Sequence, residues 1–130
     1  MTREGGTMHK KVLIIEDNAT DAAIVKDLLE KEGMKVEVAS SGKGGVEKAV
    51  SLKPDLIVLD LILPDISGFD VCAQLKEKAV LKKTIVVVLS IKDDIEDITK
   101  AFHTGADDYI IKPPVPELLI RKIKLYLGMR

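Results

Sequence analysis

Short apolar runs alternate five times along the chain with longer stretches in which apolar residues recur at helical spacing. The runs are rich in valine and isoleucine, and several are apolar at every position. That pattern is typical of strands in a parallel sheet that is covered on both faces. We predict strands over residues 12–15, 36–39, 56–59, 85–89 and 109–111.

The stretches between the runs predict helices. Apolar residues spaced three and four positions apart would turn one stripe toward the sheet and leave charged residues outside. Glycines follow the first and fourth stretches as stop signals, and prolines open the fifth. The predicted stripes are Ile24, Val25, Leu28 and Leu29; Val46, Ala49 and Val50; Gly68, Val71, Cys72 and Leu75; Ile95, Ile98 and Phe102; and Leu119, Ile123 and Tyr126.

The resulting order of elements is (βα)5. It predicts an α/β fold in which right-handed crossovers build an open, doubly wound parallel sheet. The chain has 130 residues, 46% of them hydrophobic, which suits one domain with a real core. We expect residues 1–9 to form a flexible leader and residues 10–130 to form the domain.

Charge and cysteine content exclude several classes of function. The 20 basic and 21 acidic residues nearly balance, so nothing favours direct nucleic-acid binding. The single cysteine, Cys72, excludes an internal disulfide and fits a reducing compartment, and we expect it to be a small core residue. No apolar run approaches the roughly 20 residues that span a bilayer. We therefore expect a cytoplasmic protein without membrane contact.

Polar residues follow the predicted strands at the edge where open parallel sheets bind ligands. Glu16 and Asp17 follow the first strand and Asp60 the third, while Ser90 follows the fourth and Lys112 the fifth. Each of them alone could be a helix cap or an ordinary strand end. Together, three carboxylates at one edge repel each other unless a hard cation such as Mg²⁺ joins them. A lysine and a hydroxyl beside them suit phosphoryl oxygens.

With these motifs in register, residues 10–127 resemble the receiver domain of bacterial two-component response regulators. The resemblance implies a flavodoxin-like fold with strand order 2-1-3-4-5. It also implies a signalling domain, not an enzyme, that takes a phosphoryl group from a phosphohistidine donor with Mg²⁺. The residues that carry the resemblance are Glu16, Asp17, Asp60, Pro64, Gly68, Ser90, Tyr109, Lys112 and Pro113.

The resemblance assigns roles to individual residues. It implies that Asp60 is the phosphoacceptor and that Lys112 and Ser90 contact the phosphoryl group. Ser90 and Tyr109 would form the switch, and the Lys112-Pro113 bond would be cis. The implied protein ligands of Mg²⁺ are Glu16 (through a water), Asp17, Asp60 and the backbone carbonyl of Ile62.

The implied partners are other proteins. The phosphoryl donor would be a sensor histidine kinase or a phosphotransfer protein. The downstream partner would be a protein target or an output domain that binds the surface of the fourth helix, fifth strand and fifth helix. A homodimer is left open. Two residues depart from the family pattern: Ile62 is apolar where a polar side chain is common, and Ile91 is bulky where a small one is usual.

Other functions on a similar fold fit less well. The acidic loop over residues 16–21 would repel the phosphate of a flavin. A phosphatase of the haloacid-dehalogenase type needs an acid where Ile62 stands, and residues 41–45 do not form a P-loop. The remaining alternative is a receiver-like interaction module that works without phosphorylation.

Overall fold

The computed structural model describes residues 9–130, so the predicted leader lies outside the described residues except for its last one. The described chain alternates five strands with five helices. The strands are β1 (Lys11–Ile15), β2 (Lys35–Ala39), β3 (Leu56–Leu59), β4 (Ile85–Ser90) and β5 (Asp108–Ile111). The helices are α1 (Ala19–Glu30), α2 (Gly42–Leu52), α3 (Gly68–Glu77), α4 (Ile95–His103) and α5 (Pro116–Tyr126), with a single 3₁₀ turn, Ala79–Leu81, after α3.

The five strands form one parallel sheet in the order β2-β1-β3-β4-β5. The predicted α/β fold and its strand order 2-1-3-4-5 are therefore confirmed. From β1 the chain passes to β2 at one edge of the sheet. It then crosses back to β3, on the other side of β1, and continues through β4 to β5 at the opposite edge. A crevice at the carboxyl ends of β1 and β3 is the expected place for a ligand.

The sheet separates two hydrophobic cores, because neighbouring residues of a strand point to opposite faces. In β1, Leu13 and Ile15 join the core under α2, α3 and α4, while Val12 and Ile14 join the core under α1 and α5. Cys72 is buried in the first of these cores as a free thiol, so its expected core position is confirmed. The strands of the sheet are thus held firmly on both sides.

Polar caps fix where the helices begin. The side chains of Asn18, Ser41 and Ser67 each accept a hydrogen bond from a backbone N–H in the first turn of α1, α2 and α3. Such caps are worth about 1 kcal/mol each. Asp65 adds a second anchor at α2: backbone N–H groups of this helix donate to its carboxylate and lower its pKa to about 2. The loop after β3 is thereby tied to α2.

Part of the predicted helix packing is wrong. Ile24 of α1 is exposed, and in α4 Ile95 is 75% exposed and Phe102 is 43% exposed. The buried residue of α4 is Ala101, which lies about 120° around the helix from Ile95. A small residue faces the sheet here, so Ile95 and Phe102 of the predicted stripe point outward. In the part of the chain that the structure describes, no helix is both long and apolar enough to cross a membrane.

Candidate functional site

Two carboxylates meet where β1 and β3 end. Ile15 pairs with Leu59 in the parallel register, so the next residues, Glu16 and Asp60, leave the sheet side by side. The backbone N–H of Asp60 donates to the carbonyl of Ile15 at 3.0 Å. Both acidic residues are only 6% exposed. Strand register therefore brings two buried negative charges to one edge.

Lys112 brings the positive charge of the site. Its backbone N–H donates to the carbonyl of Ser90 at 2.9 Å, which ties the end of β5 to the end of β4. Its Nζ donates to Oε1 of Glu16 at 2.6 Å, Oδ2 of Asp21 at 2.8 Å and Oδ2 of Asp60 at 2.9 Å. An ammonium has three N–H donors, and all are used here. The Lys112-Pro113 bond is cis.

Helix α3 approaches closely behind the end of β3. A Cβ at Gly68 would lie 2.4 Å from the carbonyl oxygen of Asp60 and 2.4 Å from Cα of Leu61. The N–H of Gly68 also donates to the carbonyl of Leu61 at 2.9 Å. Only glycine permits this approach, so Gly68 helps to fix the backbone on which the Asp60 side chain stands.

The site carries more negative than positive charge. Burial raises the pKa of Glu16, and the charge of Asp60 raises it further, against hydrogen bonds from Lys112 and the N–H of Asn18. Burial alone would lower the pKa of Lys112, but hydrogen bonds to Asp21, Glu16 and Asp60 outweigh it and raise the pKa. Lys112 is therefore charged at neutral pH, and three carboxylates share it.

The predicted metal ligands differ in their exposure to solvent. Glu16 and Asp60 are adjacent, whereas Asp17 is exposed. Although three carboxylates surround the ammonium of Lys112, no three acidic, imidazole or thiol side chains among residues 9–130 are placed to hold a metal ion together. The donor set still suits Mg²⁺, because two buried carboxylates with excess negative charge are hard oxygen ligands. The N–H of Ile62 donates to Oδ1 of Asp60 at 3.1 Å.

The predicted switch residues are linked through one loop. Ser90 is fully buried at the end of β4, and its Oγ accepts a hydrogen bond from the N–H of Lys92 at 3.4 Å. The hydroxyl of Tyr109 donates to the carbonyl of Lys92 at 2.6 Å. Burial raises the pKa of this hydroxyl, and nearby carboxylates raise it further. Both side chains thus hold the segment between β4 and α4.

Asp21 is the site residue that the sequence did not single out. In the sequence it belongs to the acidic loop over residues 16–21, and in the structure it contacts Lys112 as closely as the predicted residues do. The available signal was its place in the first turn of the helix that follows Glu16 and Asp17. Spacing along the chain could not say which way its side chain turns.

Comparison with known proteins identifies the family. Residues 12–124 match the family model described as "Response regulator receiver domain". The chain belongs to this family. This match confirms the family that the sequence motifs predict. Receiver domains are signalling domains of two-component systems.

Individual relatives agree with this assignment. The receiver domain is 38% identical to the response regulator ArlR of Staphylococcus saprophyticus over 117 residues, 90% of this chain and 52% of ArlR. A CheY-like receiver domain protein of Methanospirillum hungatei has a TM-score of 0.88 at 28% identity, covering 93% of this chain and 95% of that one. The BeF3-activated N-terminal receiver domain of RstA from Klebsiella pneumoniae has a TM-score of 0.85 at 29% identity, covering 91% of this chain and 98% of that one. The chain spans about half the length of the curated relatives it matches.

Proposed function

We propose that this receiver domain accepts a phosphoryl group on Asp60 from a phosphohistidine donor and thereby changes a protein-interaction surface. The observation that carries the proposal is the buried Asp60 carboxylate beside the ammonium of Lys112, at the carboxyl ends of neighbouring strands. The receiver domain of RstA is described as BeF3-activated, which supports a switch of this kind in the family.

The transfer needs one nucleophile and compensation for charge. A carboxylate oxygen of Asp60 attacks phosphorus, a P–O bond forms, and the P–N bond to the donor imidazole breaks with its electron pair leaving on nitrogen. Lys112 offers an ammonium to the phosphoryl oxygens, and Ser90 a hydroxyl, so charge on those oxygens is stabilised in place. The domain alters only its own phosphorylation, which is why we class it as a signalling domain and not an enzyme.

The proposal includes Mg²⁺ as the cofactor. Bound Mg²⁺ would neutralise charge on the carboxylates and on the phosphoryl oxygens. The side chains of Asp17 and Asp60, the carbonyl of Ile62 and, through a water, Glu16 would hold it. The excess of carboxylates over ammonium groups at the site supports this assignment, because it leaves negative charge that a divalent cation can offset.

The output surface is proposed to lie on α4, β5 and α5. A groove of about 510 Å³ runs along β5 and α5, and its apolar lining includes the exposed side chains of Ile111, Val115, Leu118 and Leu125. Two of the three basic residues of α5 are engaged within the chain, since Lys122 pairs with Asp108 at 3.0 Å and Lys124 with Glu32 at 3.1 Å. The proposed surface is therefore largely apolar, with Arg121 as the remaining basic residue of α5 beside the groove.

The partners proposed for this domain are a sensor histidine kinase or phosphotransfer protein upstream and a protein target or output domain downstream. A cytoplasmic location and the absence of direct nucleic-acid binding belong to the same proposal. The proposed partners are supported by membership of the receiver family and by relatives that are about twice as long as this chain.

Incubation with acetyl phosphate and Mg²⁺ tests the proposed function. Acetyl phosphate replaces the phosphohistidine donor, so no kinase has to be known. Mass spectrometry of the intact protein should show the addition of one phosphoryl group, and chelation of the metal should prevent it. A protein that stays unmodified while Mg²⁺ is present would instead be a module that works without phosphorylation.

Ser90→Ala should uncouple the switch from the chemistry. The variant should still take up phosphate, because Asp60, Lys112 and the metal ligands remain. It lacks the hydroxyl that phosphorylation would draw toward the acceptor, so long-range changes should be lost. Amide chemical shifts at Ile110 and across α4, with and without beryllofluoride, measure the effect. Shifts equal to those of the parent would mean that Ser90 does not couple the site to the surface.

A further inference from the structure

The three carboxylates that contact Lys112 are not equivalent. The side chains of Glu16 and Asp60 are 8% and 7% exposed, whereas that of Asp21 is 42% exposed. Glu16 and Asp60 also accept backbone hydrogen bonds, from Asn18 and Ile62. Among the described residues, Lys112 is the only hydrogen-bond partner of the Asp21 side chain. Asp21 is thus the outer contact of a lysine that is otherwise buried.

An anion that reaches Lys112 must displace one of its present acceptors, because all three N–H donors are used. Withdrawing the ammonium from Glu16 or, before the transfer, from Asp60 would leave a buried carboxylate dry and without its cation, which is costly. Asp21 can turn to water at little cost, because an ion pair with an exposed partner contributes little. The incoming anion should therefore replace Asp21 as a hydrogen-bond acceptor of Lys112.

We infer that Asp21 is a positioning residue: it holds Lys112 while the site is unphosphorylated and competes with the incoming phosphoryl group for the ammonium. The inference rests on the proposed function, since it assumes that Lys112 binds the phosphoryl group. Its consequence is that Asp21 weakens the binding of anionic donors and mimics. The carboxylate acts on the affinity for the anion and not on the nucleophile, so the maximal rate should change little.

The test compares Asp21→Asn with Asp27→Asn at saturating Mg²⁺. Asp27 lies on the same helix and pairs with Lys31 at 3.0 Å, so its variant removes the same charge away from Lys112. We expect Asp21→Asn to tighten beryllofluoride binding by about 1.4- to fivefold, the range that corresponds to an ion pair with one exposed partner. The acetyl phosphate concentration that gives half-maximal labelling should fall by a similar factor. Asp27→Asn should match the parent in both measurements.

Two further measurements separate this role from a structural one. Asp21→Glu keeps a carboxylate within reach and should return beryllofluoride affinity toward the parent value. High salt should reduce the difference in beryllofluoride affinity between Asp21→Asn and the parent, because salt screens the partly exposed charge of Asp21. A purely structural Asp21 would change the melting temperature without changing the affinity.

The outcomes can be told apart from failure of the proposed function. If the parent binds beryllofluoride and becomes labelled while Asp21→Asn behaves like Asp27→Asn, the inference about Asp21 is wrong. Weaker binding by Asp21→Asn would also overturn it, because Asp21 would then assist the anion instead of competing with it. If the parent neither binds beryllofluoride nor becomes labelled, the proposed function itself fails.

Discussion

Asp60→Asn should abolish phosphoryl incorporation from acetyl phosphate. The carboxamide has nearly the shape of the carboxylate but is a poor nucleophile, so the P–O bond cannot form. The fold should persist, because the residue stands on a strand end held by the hydrogen bond to Ile15 and by the close passage of Gly68. Removing one of the carboxylates that share Lys112 should not lower the melting temperature. Intact mass and thermal unfolding measure the two effects.

Asp70→Asn is a suitable control for this prediction. Asp70 lies exposed near the start of α3, and its variant changes the same functional group outside the site. It should be labelled as fully as the parent. Equal labelling of Asp60→Asn and Asp70→Asn would show that the acceptor is another residue. Peptide mapping of the labelled parent would then locate it.

The sheet and the positions of its strand-end residues were predictable from the sequence. Strands buried on both faces are apolar at every position, so residues 12–15 and 56–59 stood out from the amphipathic stretches around them. Parallel strands share one carboxyl edge, which places Glu16 and Asp60 together whatever the side chains do. The family could therefore be predicted from the types of residue at these positions and in the loops beside them, without knowing how any side chain is oriented.

The direction in which side chains turn was not predictable. Helical spacing correctly predicts that Leu119 and Ile123 of α5 are buried in the core. The same spacing predicts that Ile95 of α4 is buried, but the buried residue of that helix is Ala101. An apolar stripe can face the sheet or a partner, and spacing alone does not distinguish these. Asp21 was missed for a similar reason, since its contact with Lys112 joins residues that are 91 positions apart.

Lys112→Ala should be the most destabilising change at the site. It removes the ammonium from two buried carboxylates, Glu16 and Asp60, and breaking a buried ion pair on one side costs about 3–5 kcal/mol. Lys122→Ala is the matched control: its partner is Asp108, the lysine side chain is 41% exposed, and the loss should be below about 1 kcal/mol. Denaturant unfolding at pH 7 measures both values.

Measurements with Mg²⁺ and at different pH values test whether Lys112→Ala loses stability because a positive charge is removed. Mg²⁺ should stabilise Lys112→Ala more than the parent, because it replaces the missing positive charge, and adding Asp17→Ala should remove this gain.

The pKa of Glu16 is raised above its ordinary 4.5, so the folded state binds more protons than the unfolded state above that pH, and stability falls as pH rises. Loss of the Lys112 hydrogen bond raises that pKa further, so the deficit of Lys112→Ala should be small near pH 4.5 and grow toward neutrality. A deficit that neither pH nor Mg²⁺ alters would mean that Lys112 stabilises the site by packing alone.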